Sequence, residues 1–286
     1  MARVIFVNGQ YQVYDNAVVH VEDRGFQFAD GVYEVCEVRN RKLVDETRHI
    51  DRLHRSMHEL QIRPPMARSA LAVVMREVIR RNRVQDGLVY LQVTRGVAKR
   101  DFIFPDPAVP SSLICYARKV SRAANDSKAN AGVGVITMPD NRWSRPDIKS
   151  VSLLPNLLAR QAAQEAGCHE AWLVDGNGYI TEGAASNAWI VTADDLLQTR
   201  SAETGILKGV TRSVVIDLLK REGIGFLEEP FKEEDVIKAK EAFSTSATAL
   251  VMPVVRINNK KIGTGVVGPI TKMLREQFHT QAEMCP

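Results

Sequence analysis

The chain has 286 residues, which is long enough for two domains that each bury a hydrophobic core. Its 45% hydrophobic and 25% charged residues are typical of a globular protein, and its net charge of +4 is spread along predicted helices rather than gathered into a nucleic-acid-binding patch. No apolar run approaches the roughly 20 residues that cross a bilayer. The four cysteines are far apart, so we expect a cytoplasmic protein with reduced thiols and no membrane contact.

The first 118 residues show both strand-like and helix-like patterns. Val4–Val7 and residues 10–14 flank Asn8-Gly9, which is the turn signal of a β-hairpin. This part is expected to form a small N-terminal α+β domain, residues 1–118. Its further predicted elements are strands at residues 18–21, 32–38, 88–95 and 113–117, a helix at residues 49–62, a second helix capped by Ser69, and a loop at residues 96–110.

Residues 119–132 are small and polar and lack aromatic side chains, which is typical of an interdomain linker. Residues 133–286 are then the larger predicted domain, also α+β because its strands and helices do not alternate regularly. Its predicted elements are strands at residues 133–138 and 188–192, a hairpin through Asp175-Gly176-Asn177-Gly178, and helices from Pro155 to Gly167, at residues 211–222 and at residues 269–281.

Lys149 stands between two prolines that define its surroundings. Pro146 favours an extended approach and Pro155 is tolerated in the first turn of a helix, so Lys149 is predicted at the end of a short strand just before a helix. A nucleophilic lysine must be rigid, partly desolvated and able to lose its proton. A lysine at an arbitrary position is more often solvated, but this position favours a nucleophile.

Two further stretches could bind an anionic, flat ligand. Residues 205–213 supply a glycine turn, a hydroxyl group and a helix start, which suit a phosphate, although they do not form a Walker motif. Glu182 lies among small residues at positions 183–186, where a flat ligand can approach its carboxylate closely. By itself each stretch is more often a plain turn or a surface acid.

His54 and His58 leave a different class of function open. They stand four residues apart on a predicted helix, as metal ligands do, and a non-catalytic or metal-binding protein is the alternative that they support. Arg55 occupies the position at which a zinc protease has glutamate. We therefore predict no metal site.

Six stretches in register resemble the fold-type IV enzymes that depend on pyridoxal 5′-phosphate (PLP), most closely the D-amino-acid aminotransferases. The resemblance implies an α+β protein of two domains with PLP between them, and it runs in the family's order over nearly the whole chain. The stretches are residues 22–35 (EDRGFQFADGVYEV), 49–53 (HIDRL), 92–96 (QVTRG), 147–150 (DIKS), 181–187 (TEGAASN) and 207–212 (LKGVTR).

The resemblance also implies roles for individual residues. Lys149 forms the Schiff base with PLP and moves the proton between Cα and C4′, and Glu182 keeps the pyridine nitrogen protonated. Arg100 clamps the substrate α-carboxylate from the neighbouring subunit, which implies a homodimer. The other implied cofactor contacts are Arg52, Leu207, Val210, Thr211 and Thr248, and the other implied substrate contacts are Tyr33 and Phe102.

Two positions depart from the family pattern. Arg100-Asp101-Phe102 stands where the D-amino-acid enzymes have Arg-x-His, so an apolar ring replaces an imidazole donor. Ala247 stands where a hydroxyl residue usually contacts the phosphate, and Thr248 or backbone amides are left to replace it.

The implied reaction is transamination between a D-amino acid and a 2-oxo acid, with 2-oxoglutarate or pyruvate as the acceptor. An (R)-amine transaminase is the nearest alternative, followed by a branched-chain L-aminotransferase or an aminodeoxychorismate lyase. Branched-chain enzymes usually have Phe-Glu-Gly where this chain has Tyr33-Glu34-Val35, which disfavours that alternative.

Overall fold

The computed structural model describes residues 3–105, 109–203 and 205–286. These residues form two compact units. One unit contains the residues up to Arg122 together with Ile148–Ser152 and Glu283–Pro286, and the other contains Ala123–Asp147 and Leu153–Ala282. The loop predicted at residues 96–110 includes residues 106–108, which lie outside the described part of the chain.

The predicted linker at residues 119–132 is mostly helical in the structure. Its small residues include several alanines, which favour helix, and residues 122–131 form one. The boundary between the two units falls after Arg122, and Lys149 belongs with the N-terminal unit although residues on both sides of its segment do not. The division into the domains 1–118 and 133–286 stays a prediction.

The secondary structure mixes strands and helices throughout, as the α+β prediction requires. In the N-terminal part the elements are β1 (Val4–Val7), β2 (Gln10–Val13), α1 (Arg24–Phe28), β3 (Gly31–Arg39), β4 (Lys42–Val44), α2 (Glu46–Glu59), α3 (Arg68–Arg81), β5 (Gly87–Thr94) and β6 (Ser112–Lys119). They are followed by α4 (Arg122–Ala131), β7 (Val133–Pro139), α5 (Leu154–Glu165), β8 (Glu170–Val174), β9 (Tyr179–Gly183), β10 (Asn187–Val191), β11 (Leu197–Thr199), α6 (Val210–Glu222), β12 (Phe226–Glu228), β13 (Phe231–Lys232), α7 (Glu233–Lys238), β14 (Glu241–Ser246), β15 (Leu250–Ile257), β16 (Lys260–Lys261), α8 (Pro269–Gln281) and β17 (Met284–Cys285).

The N-terminal unit is built on an antiparallel sheet with the strand order β17-β4-β3-β5-β6-β1-β2. Alternate residues of β3 are fully buried, and α2 and α3 pack on the same unit's strands. The predicted hairpin is confirmed, since β1 and β2 pair around Asn8 and Gly9, both with positive φ. The core of this unit includes Val32, Leu53, Met75, Leu91 and Leu113.

Two local predictions in this unit are wrong. Residues 18–21 do not form a strand, and Val18 and Val21 are exposed, because no strand among the described residues pairs with them. Ser69 is not the cap of α3: the N-cap is Ala67, and no described side chain forms a capping hydrogen bond at its start. A hydroxyl residue near a helix start is therefore not sufficient to locate the cap.

The second unit contains a mixed sheet with the strand order β12-β11-β10-β14-β15-β7-β8-β9-β13, and β16 pairs with β15. The pairs β11–β12, β15–β7 and β7–β8 are parallel, and the other pairs are antiparallel. Helix α6 packs on β14 and on α8. The predicted helices at residues 211–222 and 269–281 are thus confirmed as α6 and α8, and the predicted hairpin is confirmed as β8 and β9.

No helix in the described ranges 3–105, 109–203 and 205–286 is long and apolar enough to cross a membrane. His54 and His58 both lie on α2, where His54 is half-buried and His58 is exposed. Within the same described ranges, no group of three or more His, Cys, Asp and Glu side chains is arranged to hold a metal ion.

Candidate active site

Lys149 is fixed by its main chain and by its neighbour in sequence. The side chain of Ile148 is buried in the core of the N-terminal unit. The Lys149 N–H donates to the Ser56 hydroxyl at 3.3 Å, and the Lys149 carbonyl accepts from the Tyr33 N–H at 3.0 Å. Ser150 forms a single antiparallel bridge with Val32, so the segment pairs with the start of β3 rather than forming a longer strand. The lysine backbone therefore cannot shift without breaking these bonds.

The side chain of Lys149 lies beside a tyrosine. Its Nζ is 4.3 Å from the centroid of the Tyr33 ring. Tyr33 lies on the face of β3 opposite to the buried core residues, and it stacks on Tyr90, which in turn stacks on Tyr116. Because β3, β5 and β6 are adjacent, this row of rings holds Tyr33 in place beside the lysine. The structure thus brings together two of the predicted site residues.

Arg52 is held by a buried glutamate that the sequence pattern did not single out. The Arg52 Nε and Nη2 donate to the two oxygens of Glu34 at 2.7 and 2.9 Å. His49 Nδ1 lies 2.7 Å from the same carboxylate, and Glu34 is completely buried. This two-point contact fixes the plane of the guanidinium group. Glu34 therefore helps to orient Arg52.

The electrostatics of Glu34 follow from these partners. Burial alone would raise the pKa of the Glu34 carboxyl, but the charge and hydrogen bonds of Arg52 and the contact with His49 hold that pKa far below its usual value. A lowered pKa in the folded state means that the ionised carboxylate stabilises the fold at neutral pH. This contribution is lost as the pH falls from the unfolded pKa of about 4.3 toward the folded pKa.

Replacing Glu34 with glutamine is expected to destabilise the protein by about 3–5 kcal/mol at pH 7, because it leaves the buried guanidinium group of Arg52 without its counter-charge. Urea unfolding at several pH values measures the effect. The difference from the wild type should narrow below about pH 4. Glu77→Gln is the control, since Glu77 pairs with Arg80 and Arg81 at the surface, where an ion pair contributes little to stability. If the difference in the free energy of unfolding between Glu34→Gln and the wild type stayed constant from pH 7 to pH 3, this explanation would be wrong.

Glu182 lies at a buried strand end in the second unit. One of its oxygens accepts from the Asn187 Nδ2 at 2.8 Å, and the other accepts from the Leu207 N–H at 3.1 Å and from Arg142. Asn187 Nδ2 also donates to the Leu207 carbonyl at 2.9 Å. Gly183 then turns the chain by donating its N–H to the Ser186 carbonyl. The predicted residues Glu182 and Leu207 are therefore held together by Asn187.

The charge of Glu182 is balanced by an arginine from a distant loop. Burial raises the pKa of the Glu182 carboxyl, and the charge and hydrogen bond of Arg142 act in the opposite direction. Arg142 is itself held by Asp140, with Nε and Nη2 at 2.9 and 2.7 Å from its oxygens. The Thr181 hydroxyl donates to Asp140 at 2.8 Å. Of these groups, Arg142 favours the ionised form of Glu182, whereas burial and the charge of Asp140 raise the pKa of its carboxyl.

The start of helix α6 provides backbone donors. Val210 and Thr211 are its first two residues, Gly209 is the N-cap, and no described side chain caps the helix. A Cβ on Gly209 would lie 2.0 Å from the Asn187 Oδ1, so only glycine allows Asn187 its position between Glu182 and Leu207. The first N–H groups of a helix attract anions. The glycine thus couples the helix start to the carboxylate site.

Thr248 has bonds within its own turn. It is exposed in the turn after β14, its carbonyl accepts from Asn125 Nδ2 at 3.3 Å, and its hydroxyl is 3.5 Å from that of Ser246. Ser246 also accepts from the Ala249 N–H. The structure therefore shows Thr248 bonded within its own turn and with Asn125.

Arg100 and Phe102 lie on an exposed loop of the N-terminal unit. The guanidinium carbon of Arg100 is 5.0 Å from the centroid of the Phe28 ring, and the Phe102 ring is 5.7 Å from the same ring. Phe102 is 80% exposed. Both predicted substrate residues thus lie against the short helix α1.

Sequence reasoning missed four residues in these sites. Glu34 had a signal, because strand alternation places it on the buried face of β3, where an acid requires a partner. Arg142 is 40 positions from Glu182 and had none. Asn187 was recognised only as the end of a motif, and Arg24, which contacts the loop of Arg100, stood inside a motif without an assigned role.

Comparison with known proteins gives the family. Residues 31–257 match the amino-transferase class IV model. The chain is 37% identical over 279 residues to a D-alanine aminotransferase of Staphylococcus haemolyticus, with 98% of each chain covered. It is 38% identical over 276 residues to a D-alanine aminotransferase of Listeria innocua, with 96% of this chain and 94% of the relative covered.

Solved structures share the fold. The branched-chain amino acid aminotransferase of Escherichia coli superposes with a TM-score of 0.89 at 25% identity, covering 98% of this chain and 94% of that one. A T.th. branched-chain enzyme, solved with pyridoxamine 5′-phosphate, has the same TM-score and identity and covers 98% and 93%. The predicted fold-type IV architecture is confirmed. The chain belongs to the class IV aminotransferases, which are PLP-dependent enzymes.

Proposed function

We propose that Lys149 and Glu182 carry out the chemistry of a D-amino-acid aminotransferase in which Arg100 selects the substrate. The reaction class, transamination of D-amino acids with PLP, was predicted from the sequence and is confirmed by the full-length D-alanine aminotransferase relatives. The structural observation that carries the assignment of residues is the buried carboxylate of Glu182, held by three donors among small residues. The acceptor is proposed to be 2-oxoglutarate or pyruvate.

The described residues fit PLP. A pyridine nitrogen requires an acidic partner without bulky neighbours, which Glu182 supplies next to Gly183 and Ala184. A phosphate requires N–H donors, which the start of α6 supplies, and a cation, for which we propose Arg52. When bound, PLP accepts electrons from the substrate Cα–H bond and carries the amino group between the two substrates.

Lys149 has two roles in this proposal. Its Nζ would hold the cofactor covalently, and as a free amine it would take the proton from the substrate Cα. Both roles require a fixed position, which the bonds of its main chain to Ser56 and Tyr33 support. Tyr33 borders the amine and limits the space that a substrate can occupy.

Glu182 holds a proton on the pyridine nitrogen. An ionised carboxylate at hydrogen-bonding distance raises the pKa of a protonated base. Arg142 supports this role, because its charge and hydrogen bond lower the pKa of the Glu182 carboxyl against the effect of burial, and Asp140 fixes Arg142 in place. Asn187 and the Leu207 N–H fix the direction in which the carboxylate points. Thr248 is proposed to contribute to phosphate binding in place of a hydroxyl residue at Ala247.

Arg100 is proposed to bind the substrate α-carboxylate. A guanidinium group can donate two parallel hydrogen bonds to a carboxylate, and Arg100 is exposed rather than buried within its own chain. We propose that it acts in the site of a second copy, so that the enzyme is a homodimer. The exposed apolar side chains of Phe102 and Ile103 on the same loop support such a contact. The four cysteines are free thiols, which supports the proposed cytoplasmic location.

The donor preference of Arg100 and Phe102 variants tests the proposed specificity. Arg100→Ala should impair D-alanine far more than (R)-1-phenylethylamine, because the amine has no carboxylate to bind. Phe102→His should strengthen D-alanine binding by about tenfold or more, since a hydrogen bond to a charged group contributes about 1.5–3 kcal/mol. It should also reduce the side activity on the amine that the apolar ring of Phe102 favours.

Steady-state kinetics with both donors and one acceptor measures these effects. Equal losses on D-alanine and on the amine in Arg100→Ala would show that Arg100 does not bind the carboxylate. A wild-type enzyme with faster turnover of (R)-1-phenylethylamine than of D-alanine would instead favour the (R)-amine transaminase, which the replacement of histidine by Phe102 makes the second candidate.

A further inference from the structure

Arg24 connects helix α1 to the loop of Arg100. It is 3% exposed, and its Nη1 donates to the Asp101 carbonyl at 2.7 Å and to the Ile103 carbonyl at 3.5 Å. Its Nε donates to Asp30 Oδ2 at 2.8 Å. A buried guanidinium group is stable only when its donors are satisfied, so these acceptors are held toward it. The contact is made to the main chain of the loop and does not depend on the loop's side chains.

The loop has little other support from hydrophobic burial. Asp101, Phe102, Ile103 and Phe104 are all exposed, and they lie outside helices and strands. Within the loop, the Ile103 N–H donates to Asp101 Oδ1 at 3.3 Å. The Arg95 guanidinium carbon also lies 3.6 Å from the centroid of the Phe104 ring. Since exposed side chains contribute little to fixing a backbone, the bonds from Arg24 to the main chain have a share in defining the conformation of residues 101–103.

Asp30 and Arg95 hold Arg24 in turn. Arg95 donates to both oxygens of Asp30, at 2.7 and 3.0 Å, and to the carbonyls of Leu60 and Gln61. Two guanidinium groups thus share one carboxylate, and main-chain carbonyls complete the set of acceptors for both. Arg95 donates to main-chain carbonyls at the end of α2, whereas Arg24 donates to the main-chain carbonyls of residues 101 and 103.

The Phe28 ring is close to both Arg24 and Arg100. The guanidinium carbon of Arg24 is 4.7 Å from the Phe28 ring centroid, and that of Arg100 is 5.0 Å from it. The Phe102 ring is close to the same ring. A change at Arg24 therefore reaches Arg100 both through the loop backbone and through the ring on which Arg100 rests.

We propose that Arg24, held by Asp30, is a positioning residue for substrate specificity: it fixes the loop through the Asp101 and Ile103 carbonyls and thereby places the Arg100 guanidinium group for the substrate carboxylate. This inference rests on the proposed role of Arg100. It assigns Arg24 no contact with the substrate. Its effect is on substrate binding, because the chemistry depends on Lys149 and Glu182.

A double-mutant cycle on the holoenzyme tests the proposal. Arg24→Lys keeps the charge but loses the forked geometry that reaches Asp30 and the loop together. It should raise KM for D-alanine about tenfold, as expected for lost hydrogen bonds to a charged group, with kcat unchanged. Combined with Arg100→Ala, it should cause no further loss, because Arg24 acts through Arg100. With (R)-1-phenylethylamine as the donor, KM should not change.

Arg76→Lys is the matched control. Arg76 also pairs with a carboxylate through two nitrogens and donates to a main-chain carbonyl, but it does so on α3 with Glu46 and Ala72. Its KM for D-alanine should stay at the wild-type value. If Arg24→Lys fails to fold, Asp30→Asn replaces it in the test, because it keeps Arg24 but weakens the ion pair that holds it. The same rise in KM for D-alanine is expected.

The possible outcomes distinguish a failure of the positioning role of Arg24 from a failure of the proposed role of Arg100. Losses in Arg24→Lys and Arg100→Ala that multiply in the double variant would overturn the positioning role. Equal falls in kcat for both donors would overturn it as well, because they indicate general damage. If Arg100→Ala alone impaired D-alanine and the amine equally, the proposed role of Arg100 itself would be wrong.

Discussion

Lys149→Ala is expected to reduce turnover by more than about 10²-fold, because general acid–base catalysis alone contributes roughly 10²–10⁴ and the covalent link to the cofactor is lost as well. The fold should persist, since the bonds of residue 149 to Ser56 and Tyr33 are made by its main chain. Steady-state turnover of D-alanine gives the rate. Mass spectrometry after borohydride reduction shows whether the cofactor is attached to the peptide that contains residue 149.

Lys149→Arg tests whether the amine itself is required or only a positive charge at this position. An arginine keeps a cation beside Tyr33, but it neither attaches the cofactor nor loses a proton at working pH. It should therefore be as inactive as the alanine variant. The smallest loss expected for the acid–base role leaves about a hundredth of wild-type turnover. If either variant retained more than that, Lys149 would not be the catalytic lysine.

Glu182→Gln is expected to bind PLP but to lose about 10²–10³-fold in kcat, the size of effect seen when one electrostatically stabilising group is removed. The neutral amide cannot keep the pyridine nitrogen protonated. The fold should tolerate the change, because Arg142 keeps both of its bonds to Asp140 and because burial already disfavours the charge of Glu182. The rate of proton loss from Cα-deuterated and unlabelled D-alanine measures the affected step.

Glu170→Gln is the matched control for this variant. Glu170 is also a buried acid of the second unit whose pKa is raised, first by burial, and it bonds to Arg160 and Ser186. It has no proposed contact with the cofactor, so its kcat should remain near that of the wild type. Similar losses in the two variants would mean that removal of a buried charge, and not the pyridine contact, explains the effect.

The regular elements of the fold followed from local patterns. Apolar periodicity and proline and glycine signals located α6, α8 and the hairpins around Gly9 and Gly178, because these depend on residues within a few positions of one another. The strand predicted at residues 18–21 failed for a different reason. A valine-rich stretch shows β propensity, but only the tertiary structure shows whether a partner strand is present.

The surroundings of the candidate site depended on distant pairs that a single sequence does not reveal. Lys149 is fixed by β3 and by Ser56, which is 93 positions away. Arg142 reaches Glu182 across 40 positions, and Arg24 reaches Asp101 across 77. The family resemblance supplied roles for Lys149, Glu182 and Arg100. It did not supply the residues that orient them, which became visible only in the contacts of the folded chain.

The most direct measurement of the central claim uses the wild-type holoenzyme and two donors. The enzyme is mixed, without acceptor, with D-alanine or with L-leucine, and the visible absorbance of the cofactor is followed over time. We expect D-alanine to change the absorbance rapidly and L-leucine to change it far more slowly. An equal or faster change with L-leucine would contradict the assignment to D-amino acids and favour the branched-chain L-aminotransferases that share the fold.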